Sequence, residues 1–158
     1  MQQHRKPYSL RHPQINAMSS TLEQAASYLP PSPGLLPKWL LFLSIVSIGN
    51  SIQAYVSLKG SREVYAGTSP SQVTPLSART FGTWTALSSI IRVYAAYHIH
   101  EPVVYQLALW TYGLAFAHFF SEWLVFGTAK WGRGLAGPAV ISTVSLSWML
   151  AQWGSYVK

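Results

Sequence analysis

Three long stretches of this chain carry no Lys, Arg, Asp or Glu. Residues 39–58 form a run of 20 between Lys38 and Lys59, residues 134–157 a run of 24 between Arg133 and Lys158, and Pro102 to Ser121 a third. Each matches the ~20 apolar residues that cross a ~30 Å hydrocarbon core as a helix. A fourth stretch, Thr80 to Tyr97, has the same length and a high aromatic content but holds Arg92. The pattern predicts an all-α integral membrane protein, a four-helix transmembrane bundle over residues 38–158 with helices at about 39–58, 78–99, 102–126 and 138–156. Punctuation sets those bounds: Pro37-Lys38 and Lys59-Gly60 around the first helix, Pro102 opening the third and Pro138 the fourth. Only His100 and Glu101 separate the second helix from the third, which predicts a tight antiparallel hairpin. Residues 60–77 contain Gly67, Pro70 and Pro75 and read as an irregular surface loop.

The polar positions inside these helices are ordered. Ser47, Asn50, Gln53 and Ser57 fall within about 120° of arc at 100° per residue. The second helix aligns Thr85, Ser88, Ser89, Arg92 and Ala96, and the third Ala108, Thr111, Ala115, His118 and Glu122. Such stripes let membrane helices approach and hydrogen-bond, either inside one bundle or against other membrane proteins. An ionisable group at mid-bilayer costs at least ~2.5 kcal/mol, so Arg92, His118 and Glu122 need partners. The hairpin gives their depth: residues equally far from His100 lie level. Glu122 then lies level with Arg79 as an expected ion pair, His118 with Thr83 or Trp84, and Arg92 with residues 109–111, where Trp110 offers a ring face.

Aromatic side chains collect at the predicted boundaries, with Trp39, Tyr97, Tyr105, Trp153 and Tyr156 at one side and Tyr55, Trp123 and Trp131 at the other. Lys59, Arg62, Arg79, Lys130 and Arg133 flank the first and third helices on one side, which orients those loops to the cytosol and both termini to the lumen.

Composition agrees with a membrane home. Only 9% of the 158 residues are charged and there is no Asp, against roughly 25% charged in soluble domains. The net charge of +7 comes from residues that flank apolar segments, a juxtamembrane pattern and not a nucleic-acid patch. With no Cys, disulfides, thiolate zinc sites and thiol catalysis are excluded. Residues 1–37 hold six of the ten prolines and no apolar core ahead of Leu35. They read as a disordered Pro-rich tail in preference to a signal or transit peptide.

Catalytic and cofactor signals are sparse. His118 and Glu122 share one helical face four residues apart, a pair able to move protons on a lipid, as an intramembrane sterol isomerase would require. The body of the chain has only His98, His100 and His118, too few for a di-iron oxygenase. No Gly-rich nucleotide loop and no Ser/His/acid spacing is present. The residues point to a protein that binds and does not react, with no cofactor and no metal.

The strings ARTFGTWTALSSIIRVYAAYHI (Ala78 to Ile99) and YQLALWTYGLAFAHFFSEWLVFGTA (Tyr105 to Ala129), continuing through GLAGPAVISTVSLSWML (Gly134 to Leu150), resemble the family of ergosterol biosynthetic protein 28. The resemblance covers about 120 residues and leaves out the Pro-rich tail. It implies a small multi-pass protein of the endoplasmic-reticulum membrane that is not an enzyme. It implies a scaffold that tethers the sterol C-4 demethylation enzymes: the C-4 methyl oxidase, the sterol-4-carboxylate 3-dehydrogenase (decarboxylating) and the 3-keto-sterol reductase. Links to the sterol 24-C-methyltransferase and self-association are implied as well. Arg79, Thr80, Phe81, Gly82, Arg92, His118 and Glu122 are the positions that match the motif. Asn50 and Gln53 join them as candidate interaction residues, read from the first helix's stripe.

Overall fold

The computed structural model describes residues 23–158 apart from residue 25, so most of the predicted tail lies outside the described residues. Five helices follow in chain order: α1 (Leu36–Val56), α2 (Lys59–Val64), α3 (Pro75–Tyr97), α4 (Pro102–Leu124) and α5 (Arg133–Tyr156). The chain is all-α, with no strand among the described residues. The four long helices have 21 to 24 residues, roughly 30–36 Å at 1.5 Å per residue.

Neighbouring helices run antiparallel. Ser51 and Tyr55 of α1 meet Gly82 and Thr83 of α3, while Ser47 reaches Arg92. Arg92 meets Thr111 of α4 and Trp84 meets His118. Tyr105 of α4 donates to the Met149 carbonyl of α5 across 2.6 Å. α1 and α3 make the closest backbone approach, whereas α1 and α5 meet through side chains at one end, where Trp39 Nε1 donates to Ser145 Oγ at 3.0 Å.

Several helix ends differ from their predicted positions, each for a local reason. α3 starts at Pro75, three residues early, because Thr74 and Ser77 form a reciprocal capping box in front of it. α5 starts at Arg133 and carries Pro138 inside it, so that proline does not open the helix. Pro138 is the sixth helical residue, early enough that it removes a single ladder bond near the helix start. The loop predicted as irregular contains α2, which lies against the start of α5. A Cβ on Gly134 would overlap the backbone of Glu63 and Val64, so glycine is what permits that contact.

Three helices, α1, α4 and α5, are long and apolar enough to cross a membrane. α3 was expected as a fourth such span. It is as long as α4, but its hydroxyl residues and Arg92 dilute its apolarity below theirs. Those hydroxyls are internally satisfied: Thr80, Thr83, Thr85 and Ser89 each donate to the carbonyl four residues earlier.

The polar stripes of α3 and α4 face inward, whereas Asn50, Gln53 and Ser57 of the α1 stripe are exposed. Ser88, Ser89, Arg92 and Thr111 are buried, while Ile45, Ile52, Leu87, Ile90, Leu107 and Trp110 are exposed on the outside. Tyr105, predicted at the interface, is fully buried at one end of the bundle with Leu36, Leu40, Ile99 and Met149. A second apolar cluster of Ala115, Phe119, Ala129, Leu135 and Ala139 closes the other end. Of the tail expected to be disordered, the segment from Tyr28 onward is tied down: Tyr97 Oη donates to the Tyr28 carbonyl (2.5 Å) and Tyr156 Oη to that of Pro33 (3.1 Å).

Candidate functional site

Arg92 lies between the two clusters and is 7% exposed. Its Nε donates to Thr111 Oγ1 at 2.9 Å and its Nη1 to Ser47 Oγ at 3.3 Å. The guanidinium carbon lies 4.0 Å from the centroid of the Tyr112 ring, a cation–π arrangement favoured where water is absent. Sequence placed Arg92 level with residues 109–111, and that depth holds. The ring it stacks on is Tyr112 in place of Trp110, which points outward and is 66% exposed. The cause is azimuth: positions 105, 108, 112, 115 and 119 form the buried face of α4, and residue 110 lies off it.

His118 and Glu122 lie nearer the α1–α2 end. His118 Nε2 is 2.7 Å from the Tyr65 hydroxyl. Burial pushes the Tyr65 phenol far above its usual range, and the Glu122 charge adds to this. The phenol therefore stays protonated and shares one hydrogen bond with Nε2, whose direction the histidine tautomer sets. Nδ1 is 3.9 Å from Glu122 Oε1, too long for a hydrogen bond. Glu122 instead accepts from the Thr128 hydroxyl, and its own carbonyl accepts from Ala129 N at 3.1 Å. Gly67 N donates to the Thr128 carbonyl at 2.9 Å. This network clasps the 65–68 turn onto the α4–α5 turn, beside a groove of about 600 Å³.

The expected Glu122–Arg79 ion pair does not form. His118–Glu122 is the one acid–base contact among the described residues, and Arg79 is exposed. Equal depth was a sound inference, but depth says nothing of direction around the helix. The face of α3 that meets α4 carries Phe81 and Trp84, both packed on Phe119.

Residues 36–147 match the family described as "Erg28 like protein". A Candida albicans protein, "Ergosterol biosynthetic protein 28", is 52% identical over 125 residues, covering 79% of this chain and 90% of that protein. The Saccharomyces cerevisiae protein of the same name is 54% identical over 120 residues, 75% of this chain and 80% of its own length. The chain belongs to the Erg28-like family. A human relative, "Ergosterol biosynthetic protein 28 homolog", is 41% identical over 117 residues, 73% of this chain and 83% of that one. No solved structure matches.

The Erg28-like match starts at the first residue of α1 and ends inside α5, so it spans the Arg92 contacts and the Tyr65–His118–Glu122–Thr128 network. Within it, the motif residues Arg79, Thr80, Phe81 and Gly82 do different things. Gly82 lets α1 close on α3: Ser51 Oγ donates to its carbonyl at 2.7 Å. Phe81 packs edge-on against Tyr65, Trp84 and Phe119. Thr80 borders the groove beside His118. Arg79 projects outward, and its carbonyl accepts from Thr83. Asn50 and Gln53 are exposed on α1 and border a separate internal cavity with Arg92. Among the described residues, no group of three His, Asp or Glu side chains could hold a metal.

Two site residues escaped the sequence reading. Tyr65 sits in a segment read as surface loop, 53 positions from His118, and no local pattern links them. Tyr112 was legible in principle, because it falls on the buried i, i+3, i+4 face of α4. Tyr65→Phe is expected to lower the unfolding midpoint in detergent by an amount corresponding to about 1 kcal/mol, the usual worth of one partly buried hydrogen bond. An unchanged midpoint would mean that the clasp holds without it.

Proposed function

We propose that this protein is a non-catalytic scaffold of sterol biosynthesis in the endoplasmic-reticulum membrane. It tethers the C-4 methyl oxidase, the sterol-4-carboxylate 3-dehydrogenase (decarboxylating) and the 3-keto-sterol reductase, associates with the sterol 24-C-methyltransferase, and self-associates. Membership of a family whose curated members are named for ergosterol biosynthesis supports the pathway. One observation carries the non-catalytic reading: the polar motif side chains are engaged within the chain, His118 by Tyr65, Glu122 by Thr128 and Arg92 by Thr111. Sterol intermediates partition into the bilayer, and holding successive enzymes together raises the concentration each one meets without new chemistry.

Affinity purification of the tagged protein in mild detergent tests the reading, with co-purification of those enzymes expected. His118→Ala separates it from the alternative, an isomerase using His118 and Glu122 as acid and base. A tether loses flux in proportion to lost complex, and fusing the partner enzymes restores part of it. An acid or base lost from a reaction blocks one step by about 10²-fold or more while the complex stays assembled. Accumulation of one intermediate with all partners retained, unrelieved by fusion, would overturn the tether.

The same proposal has α3 crossing the bilayer with the other three long helices, with the basic loops cytosolic. A glycosylation acceptor placed at the C-terminus should then be modified and one near Ser69 should not. Modification at Ser69 alone inverts the orientation.

A further inference from the structure

Between the two apolar clusters the bundle encloses a cavity of about 350 Å³, within the usual range for small-molecule sites. One wall is hydroxylic, formed by Ser47 of α1 and Thr85 and Ser88 of α3, and Arg92 and Tyr112 close the inner end. Ser47, which Arg92 touches, is the twelfth of the 21 residues of α1, so the positive charge lies near mid-depth. The chain holds only four acids, Glu23, Glu63, Glu101 and Glu122, and none forms an ion pair with Arg92. The Tyr112 hydroxyl is fully buried beside Ser145, without a well-formed hydrogen bond. A guanidinium without an acidic partner beside a cavity at this depth is costly to maintain empty.

The cavity also has a mouth. α1 and α5 touch at one end, where Trp39 Nε1 donates to Ser145 Oγ at 3.0 Å. Away from that contact Val46, Asn50 and Gln53 of α1 and Gly134, Gly137 and Ile141 of α5 line the opening, with Glu63 and Arg133 at its α2 end. Val46, Asn50, Gln53 and Gly137 are exposed on the outside of the bundle. The opening lies on the α1–α5 side of the bundle, and its α2 end is polar.

We propose that this cavity binds a membrane-dissolved amphiphile bearing a single carboxylate, with the carboxylate on Arg92 and Tyr112 and the apolar body leaving between α1 and α5. The guanidinium fork matches a carboxylate's two oxygens, and the Tyr112 hydroxyl supplies a further donor. Depth selects carboxylate over phosphate. A carboxylic acid enters the bilayer in its neutral form and gives up its proton to water reaching the polar α2 end of the opening, whereas a phospholipid phosphate stays charged at the surface. The apolar body could be an acyl chain or a sterol ring system. The inference rests on the cavity alone and is independent of the tethering function.

Photolabelling of the full-length protein in detergent micelles tests it, with four diazirine probes: a fatty acid, its alcohol, a sterol carboxylate and its methyl ester. At least one carboxylate should label α1 or α5 at least tenfold more than its neutral counterpart. Arg92→Gln should remove that preference. Because Arg92→Gln can also disturb folding, Gly137→Leu is the second variant. A Cβ at Gly137 meets nothing within 4 Å, so leucine grows into open space at the mouth while Arg92 keeps its contacts. Gly137→Leu should cut labelling at least tenfold at an unfolding midpoint no lower than the parent's. Labelling by one carboxylate or by both identifies the body and supports the site. Equal labelling by acids and neutral probes, labelling indifferent to Gly137→Leu, or displacement by phosphatidic acid in preference to either carboxylate would overturn it.

Discussion

Replacing Gly134 with alanine is expected to unseat α2 from α5 and to destabilise the bundle by about 2 kcal/mol or more. Two effects oppose each other. Alanine in a helix is favoured over glycine by roughly 1 kcal/mol, and Gly134 lies in the first turn of α5. Against this, the new Cβ would overlap Glu63 C and O and Val64 N. These are backbone atoms of a neighbouring helix, with no rotamer through which to withdraw, and overpacking of that kind costs about 1–3 kcal/mol and occasionally more. Gly137, one helical turn away on α5, provides the control. Its Cβ would meet nothing within 4 Å, so Gly137→Ala keeps the propensity gain alone. Thermal unfolding in detergent should move down for Gly134→Ala and slightly up for Gly137→Ala. A rise in both would mean that α2 does not pack where it is described.

Gly82→Leu is expected to force α1 and α3 apart, with a loss above about 3 kcal/mol and little folded protein recovered. A Cβ at Gly82 would lie 2.9 Å from Tyr55 Cδ2 and 3.1 Å from the Ser51 carbonyl oxygen. The Tyr55 ring is half exposed and can swing outward. Its hydroxyl donates to Thr83 Oγ1 at 2.6 Å, since Thr83 itself donates to the Arg79 carbonyl, so swinging breaks that bond. The Ser51 carbonyl cannot move without α1, and the Ser51 hydroxyl would lose its 2.7 Å bond to the Gly82 carbonyl. Gly82→Ala asks for only a few tenths of an ångström and should cost about 1 kcal/mol. Leucine adds three heavy atoms to the most closely packed seam of the bundle. The graded series, read as midpoint and as yield of monodisperse protein, checks the assignment. A Gly82→Leu protein as stable as the parent would refute the close α1–α3 contact.

Much of this architecture was legible in the chain. The charge-free runs gave helices whose ends fall within three residues of their predicted positions, apart from the start of α5. The two-residue separation at His100 and Glu101 dictated the α3–α4 hairpin. That hairpin put His118 beside Trp84 and Arg92 beside Thr111, as observed. Depth along a helix follows from 1.5 Å per residue and needs no further knowledge. The strings running from Ala78 to Leu150 carried the family resemblance.

Direction around each helix was another matter, because it depends on which neighbours close the bundle. For that reason Arg79 misses Glu122, and Tyr112 takes the place of Trp110 beneath Arg92. The same reason hid the clasp: Tyr65 reaches His118 only because Gly67 and Gly134 let α2 and its following turn settle on α4 and α5. Local propensity cannot report a contact between residues 53 positions apart. Apolarity and length, which are sums over the chain, determined by themselves that this is a helical membrane protein. The tertiary structure decided that the polar stripes of α3 and α4 face inward while that of α1 is exposed, that Arg92 has no acidic partner, and that α1 and α5 border a cavity, because each of these is a relation between helices and not a property of any one of them.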